Sequence, residues 1–214
     1  MTFTFMESSD KYSVIIPTLQ KAWSITRILL ETILKDENVG EVILINNCGT
    51  PVNLVNNKLK VVNLQENIFV NPAWNLGVEL AKFENIALVN DDIILPNNIF
   101  GKIGNLEEYG ITGCGSYIPM DHKTYEVRLA SIDLASERNY NFGVFMVFKK
   151  YRYIPIPNEI KIWYGDDWLF YHNKNNGTLS IPIKVQDSTT SSLCEFNNQK
   201  QLDRAGLQST ITNY

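Results

Sequence analysis

The sequence has little cysteine. Its three cysteines, Cys48, Cys114 and Cys194, stand far apart and form no CxxC pair. A disulfide framework or a thiolate zinc site is therefore not expected. Histidine is scarcer still. His122 and His172 are the only two, and neither stands at a telling distance from a serine or cysteine, so a hydrolase triad has no support. There is no GxGxxG and no GxxxxGK[ST], which removes the dinucleotide fingerprint and the P-loop. No dense basic stripe is present: 19 Lys and Arg face 23 Asp and Glu, for a net charge of −4. A sequence-independent nucleic-acid binder needs such a stripe to displace counterions, so no nucleic-acid partner is expected. No apolar run approaches the ~20 residues of a membrane span. Residues 1–10 hold neither a basic nor an apolar leader segment, so the expectation is a cytoplasmic protein without a membrane span. In that setting the sequon Asn176-Gly177-Thr178 reads as a turn.

What is present is a chain of 214 residues with 44% hydrophobic and 20% charged residues. That suffices for one well-buried core, and no repeat or linker divides it. One domain over 1–214 is expected. Its first half alternates short apolar runs with helical stretches. Residues 13–17, 41–45, 59–64 and 86–89 read as strands, and 24–35 and 72–82 as helices. Strand, helix, strand at this spacing predicts parallel pairing through right-handed crossovers, with both faces of the sheet covered. Ligands then bind beyond the carboxyl ends of the strands. Pro17-Thr18, Asn46-Asn47, Asn67 and Asp91-Asp92 fall along that edge. In the second half, 113–118, 141–149 and 180–185 read as strands, 168–173 as a short helix, and the tail from 195 as weakly helical.

Three constellations could carry chemistry. Asn90-Asp91-Asp92 follows an apolar strand directly. Adjacent carboxylates there suit Mg2+ or Mn2+, which favour oxygen ligands and leave positions for phosphate and water. A polar strand end or helix cap reads equally well. Gly165-Asp166-Asp167 opens a helix, where acids favour the macrodipole. An aspartate there could instead act as a general base toward a hydroxyl. Trp163 and Trp168 flank it. Their faces suit a sugar ring, although core packing is the commoner use. Third, the segment Asn67 to Gly77 places Asn67, Asn71 and Asn75 where amides could support a nucleotide, with Gly77 as a small packing residue. His172, one turn beyond Asp167, reads as a solvated helix residue.

In order and spacing these pieces resemble the GT-A-fold, family-2-type glycosyltransferases, over roughly residues 12–190. The series is Tyr12-Ser-Val-Ile-Ile-Pro-Thr18, Glu41-Val-Ile-Leu-Ile-Asn-Asn47, Asn67 through Gly77, Leu88-Val-Asn-Asp-Asp-Ile93 and Gly165-Asp-Asp167. The resemblance implies a Rossmann-like α/β domain with a mostly parallel sheet and helices on both faces. Residues 12–100 would form the nucleotide-binding half, 101–194 the acceptor-binding half, and 195–214 a helix or tail. It implies an inverting transfer from an NDP-sugar, most simply a UDP-sugar, to a hydroxyl of a glycan or glycoprotein acceptor, with Mn2+ or Mg2+ as cofactor. Pro17 and Thr18 would meet the nucleoside. Asn46 stands where relatives carry an aspartate for the uracil, and Asn67, Asn75 and Asp91 would support the donor. Asp92 matches the last acid of the metal motif, whose first acid is here Asn90. Asp187 stands near the late metal-binding histidine of relatives. Trp74 replaces an arginine common among them. Asp167 matches the catalytic base. A narrower similarity, to the amino-terminal domains of chlorella-virus capsid glycosyltransferases, implies work in the host cytoplasm. The rival readings are a nucleotidyltransferase, against which the absence of glycine in 17–22 argues, and a non-catalytic carbohydrate-binding module or degenerate transferase.

Overall fold

Alternating faces of the apolar strands decide where the helices lie. In a computed structural model, which describes residues 11–117, 127–132, 141–186 and 196–211, β1 (Tyr12–Thr18) runs parallel between β2 (Val39–Asn46) and β4 (Asn85–Val89). Strand β3 (Leu59–Asn63) pairs parallel with β2. Val14, Ile16, Val42 and Leu44 pack with Leu29, Leu30 and Ile33 of α1 (Trp23–Lys35). The intervening positions Ile15, Ile43 and Ile45 pack with Ala73, Trp74 and Val78 of α2 (Val70–Leu80). Both faces are thereby covered, as continuously apolar parallel strands require. Gly77 brings α2 close to β1, and a Cβ there would run into the Ile15 side chain. Trp74 lies in this core, 4% exposed.

The second half extends the same sheet. Strand β8 (Phe145–Lys149) pairs antiparallel with β4, and β6 (Thr112–Tyr117) antiparallel with β8. Strand β9 (Asn176–Ile181) runs parallel to β6, and β7 (Arg128–Ile132) antiparallel to β9. The eight-stranded order is β3-β2-β1-β4-β8-β6-β9-β7. The short strands β5 (Ile93–Ile94) and β10 (Lys184–Val185) pair with each other. Two more helices complete the fold, α3 (Gly165–Tyr171) between β8 and β9 and α4 (Asn197–Ile211) after β10. The fold is thus the expected α/β class. No described helix is long and apolar enough to cross a membrane.

Four local expectations need correction. Residues 141–149 are not one strand, because Phe142–Val144 form a single 3-10 turn before β8. Phe142 is buried there, edge-on to Phe170. The last strand is not 180–185. Pro182, which has no N–H for a ladder, separates β9 from β10. The sequon is no turn but the start of β9. Asn176 is 4% exposed, accepts a hydrogen bond from Ile111 N at 2.9 Å and donates to Phe170 O at 2.9 Å. Strand β7 was not anticipated, because its Arg-Leu-Ala-Ser-Ile sequence is largely exposed at the sheet edge and carries no apolar run.

Candidate active site

Strand register builds the first half of the site. Ile15 of β1 lies opposite Leu88 of β4. Three residues further on, Thr18 is therefore level with Asp91, and its hydroxyl donates to Asp91 Oδ2 at 2.6 Å. The Thr26 hydroxyl of α1 donates to the Asp91 carbonyl at 3.1 Å. A cavity opens at this edge. It is lined by Pro17, Thr18, Asn67 and Asp91, together with Asn47, Phe69, Ile162 and Phe196. Burial pushes the Asp91 carboxyl up to about 6; the Thr18 hydroxyl pulls it down, and the neighbouring Asp92 charge raises it again.

Asp92 is 6% exposed and is not among the cavity-lining residues. Its carbonyl accepts from Gln186 N at 3.0 Å, where β10 runs beside β5. The acid that faces the cavity is thus Asp91. Asp187 lies outside the described residues. Among the described residues no three His, Cys, Asp or Glu side chains are grouped to hold a metal. The donor chemistry nevertheless fits Mg2+ or Mn2+, since hard carboxylate oxygens at a strand end, one of them facing a cavity, match an ion that keeps water and phosphate as its other ligands.

The asparagines divide by task. Asn67 lines the cavity and accepts from Phe69 N at 2.8 Å. Asn46 does not line it. Its fully buried amide donates to Thr50 O and Asn63 Oδ1 at 2.7 and 2.8 Å, bracing the loop after β2. Its neighbour Asn47 takes the cavity position, held through its backbone N to Thr18 O at 2.8 Å. Asn75 is likewise spent on structure: it donates to Ile156 O at 2.8 Å and accepts from Tyr153 OH at 2.7 Å and Ile156 N at 2.9 Å. Phe69 enters the helix with φ of 70° and ψ of 179°. A non-glycine residue there costs about 1–3 kcal/mol, a strain that concentrates at ligand sites.

The second acid pair is held beside the first. Asn90 N donates to Val144 O at 3.0 Å. One residue earlier, Gly143 makes room for Asp166: a Cβ added at Gly143 would come within 3.1 Å of the Asp166 Cγ. The 142–144 turn therefore touches both acidic segments. Asp167 is half-buried in the first turn of α3. Asn71 anchors the preceding loop, donating from Nδ2 to Ile160 O and Trp163 O at 3.1 and 3.3 Å, while its backbone N donates to Lys161 O at 2.9 Å. Gly165 presses on the Asn71 amide so closely that any Cβ would collide with it. Trp168 is core, 5% exposed. His172 is half-buried and not simply solvated: its ring lies tilted against Trp168, centroids 3.7 Å apart, and its Nδ1 lies 2.8 Å from Trp168 O.

The sequence places Asn47 at the ligand edge, as found, but offers no reason to include Phe69, Ile162 and Phe196 among the cavity residues. Phe69 lies inside the Asn67–Gly77 segment, so its neighbourhood was marked. Ile162 and Phe196 carry no signal in their own surroundings.

No family model and no curated protein matches the chain. Solved structures do. S. aureus TarS superposes with a TM-score of 0.57 at 16% identity, over 79% of this chain and 35% of TarS. TarS 1–349 in complex with UDP-GlcNAc gives 0.57 at 14% identity, over 90% of this chain and 65% of that one. TarS 1–349 in complex with UDP gives 0.54 at 16%, over 79% and 58%. The chain therefore shares the α/β fold of TarS and spans about a third of TarS and about three-fifths of the shorter form.

Proposed function

We propose that this chain is a glycosyltransferase that takes its sugar from a nucleoside diphosphate sugar, with a UDP-sugar as the simplest donor. The observation that carries this reading is the convergence of Thr18, Asn47, Asn67 and Asp91 on one cavity at the carboxyl edge of the sheet. The loop leading to Asp166 and Asp167 reaches the same cavity through Ile162. The neighbour crystallised with UDP and with UDP-GlcNAc has the same fold, which supports the choice of donor.

Pro17, Thr18, Asn47, Asn67 and Phe69 would seat the nucleoside. Asp91, the acid that faces the cavity, would hold Mn2+ or Mg2+, with Asp187 as a further oxygen donor, and the ion would offset the charge of the leaving diphosphate. Asp167 would accept the proton of the acceptor hydroxyl, on a glycan or glycoprotein, as that oxygen bonds to the anomeric carbon. The bond from the anomeric carbon to the diphosphate oxygen breaks, and the diphosphate departs with the electron pair. Attack opposite the leaving group inverts the anomeric centre.

The test is Asp167→Asn. Transfer is expected to disappear while UDP still raises the melting temperature, because a base acts on the acceptor and not on the nucleotide. Wild-type turnover in the variant would remove Asp167 from the role. UDP binding without any sugar release by the wild type would favour a non-catalytic binding module.

A further inference from the structure

The loop at residues 160–164 has no helix or strand of its own, yet it must carry Ile162 into the cavity and deliver Asp166 and Asp167. Tyr164, its last residue, sits in the left-handed region at φ 63°. One carboxylate holds this loop from outside. Asp203 of α4 is fully buried. Its Oδ1 accepts from Lys161 N at 2.9 Å and its Oδ2 from Ile162 N and Trp163 N at 2.8 and 3.0 Å. Gln199, one turn earlier on α4, adds its Nε2 to Oδ1 at 2.7 Å. Three successive backbone N–H groups thus converge on one carboxylate, the arrangement by which a chain cradles an anion. Here the anion belongs to the protein itself. Asn71 takes the carbonyls of residues 160, 161 and 163. Between them, the two side chains and the Asn71 backbone amide engage the polar backbone along 160–163.

We infer that Asp203 is a positioning residue for the reaction: its carboxylate sets the loop that fixes both Ile162 in the donor cavity and Asp167 at the reacting hydroxyl. The inference rests on the transferase reading of that cavity. Asp203 touches neither the cavity nor a reactant and acts through backbone alone. The same helix follows directly on Phe196, which lines the cavity. The segment entering α4 thus touches the cavity directly, and α4 reaches it a second time through Asp203 and the loop.

Asp203→Ala and Asp203→Asn test this. Asparagine keeps one acceptor oxygen and replaces the other with a donor that opposes the loop amides, so its effect should lie between wild type and alanine. Amide hydrogen exchange, read residue by residue, should show Lys161, Ile162 and Trp163 exchanging at least 100-fold faster in Asp203→Ala, with the amides of β1 and β4 unchanged. At a temperature where each variant is fully folded, kcat for UDP release from a UDP-sugar should fall at least tenfold, a larger factor than the rise in KM for the donor that a loosened Ile162 brings. Unchanged exchange at 161–163 would overturn the inference. So would wild-type kcat in a variant whose loop has loosened, since Asp203 would then be a stabilising contact only. A wild type that releases no UDP would count against the transferase reading, and the exchange measurement alone would then decide whether Asp203 sets the loop.

Discussion

Replacing Asp91 by asparagine is expected to make the protein more stable at pH 7 and to disable it. The folded carboxyl is pushed up to about 6 from an ordinary value of 3.8, chiefly by burial. Between those two pH values the folded protein keeps a proton that the unfolded chain has released. Raising the pH from about 4 to about 6 therefore weakens the fold, and above about 6 the full penalty is in place. At 1.36 kcal/mol per pH unit the penalty is about 3 kcal/mol. Asparagine imitates the neutral acid in shape and can still accept the Thr18 hydroxyl proton, so most of that energy should return at pH 7. For a domain of this size the melting temperature should rise by roughly 5–10 °C. Denaturant unfolding of both proteins in EDTA, from pH 4 to pH 8, measures the difference directly. It should be small near pH 4, grow through pH 5 and level off above pH 6. With Mn2+ added, the wild type should gain stability and the variant should not. A variant less stable than wild type at pH 7, or a difference that does not change with pH, would refute the reasoning.

Three further outcomes are expected. Thr18→Val removes the donor that lowers the Asp91 carboxyl, so the acid limb of the pH–activity profile should move to higher pH; an unmoved limb would show that Asp91 does not control it. Gly165→Ala drives a methyl group into the Asn71 amide and should cost about 2 kcal/mol or more of stability by overpacking. Combined with Asn71→Ala its cost should shrink, and strict additivity in that double-mutant cycle would place the clash elsewhere. Chelation should abolish UDP release and Mn2+ should restore it, whereas full turnover in excess EDTA would exclude a metal role.

Much of the fold is legible along the chain. The runs at 13–17, 41–45 and 86–89 are largely apolar on both faces, and only a sheet covered on both sides can bury them. Helix and strand order in that half follows from spacing, and with it the edge where ligands bind. The acids at 91–92 and 166–167 are visible for the same reason: charged pairs after apolar segments stand out. Strand β7 was not legible, because an exposed edge strand has no hydrophobic alternation to read.

The tertiary structure decided which member of each polar pair does what. Neighbouring residues at a strand end point different ways, so Asn46 and Asn47, or Asp91 and Asp92, are equivalent in sequence and distinct in space. The cross-strand register selects Asp91 by setting it level with Thr18. Local sequence also carried no sign of Asp203, a single acid in a polar helix 36 residues beyond Asp167. Its role exists only because α4 docks against loop amides that have no partner within their own segment. Hydrophobic periodicity records what must be buried, while the pairing of polar groups across long loops is settled only when the chain has closed on itself.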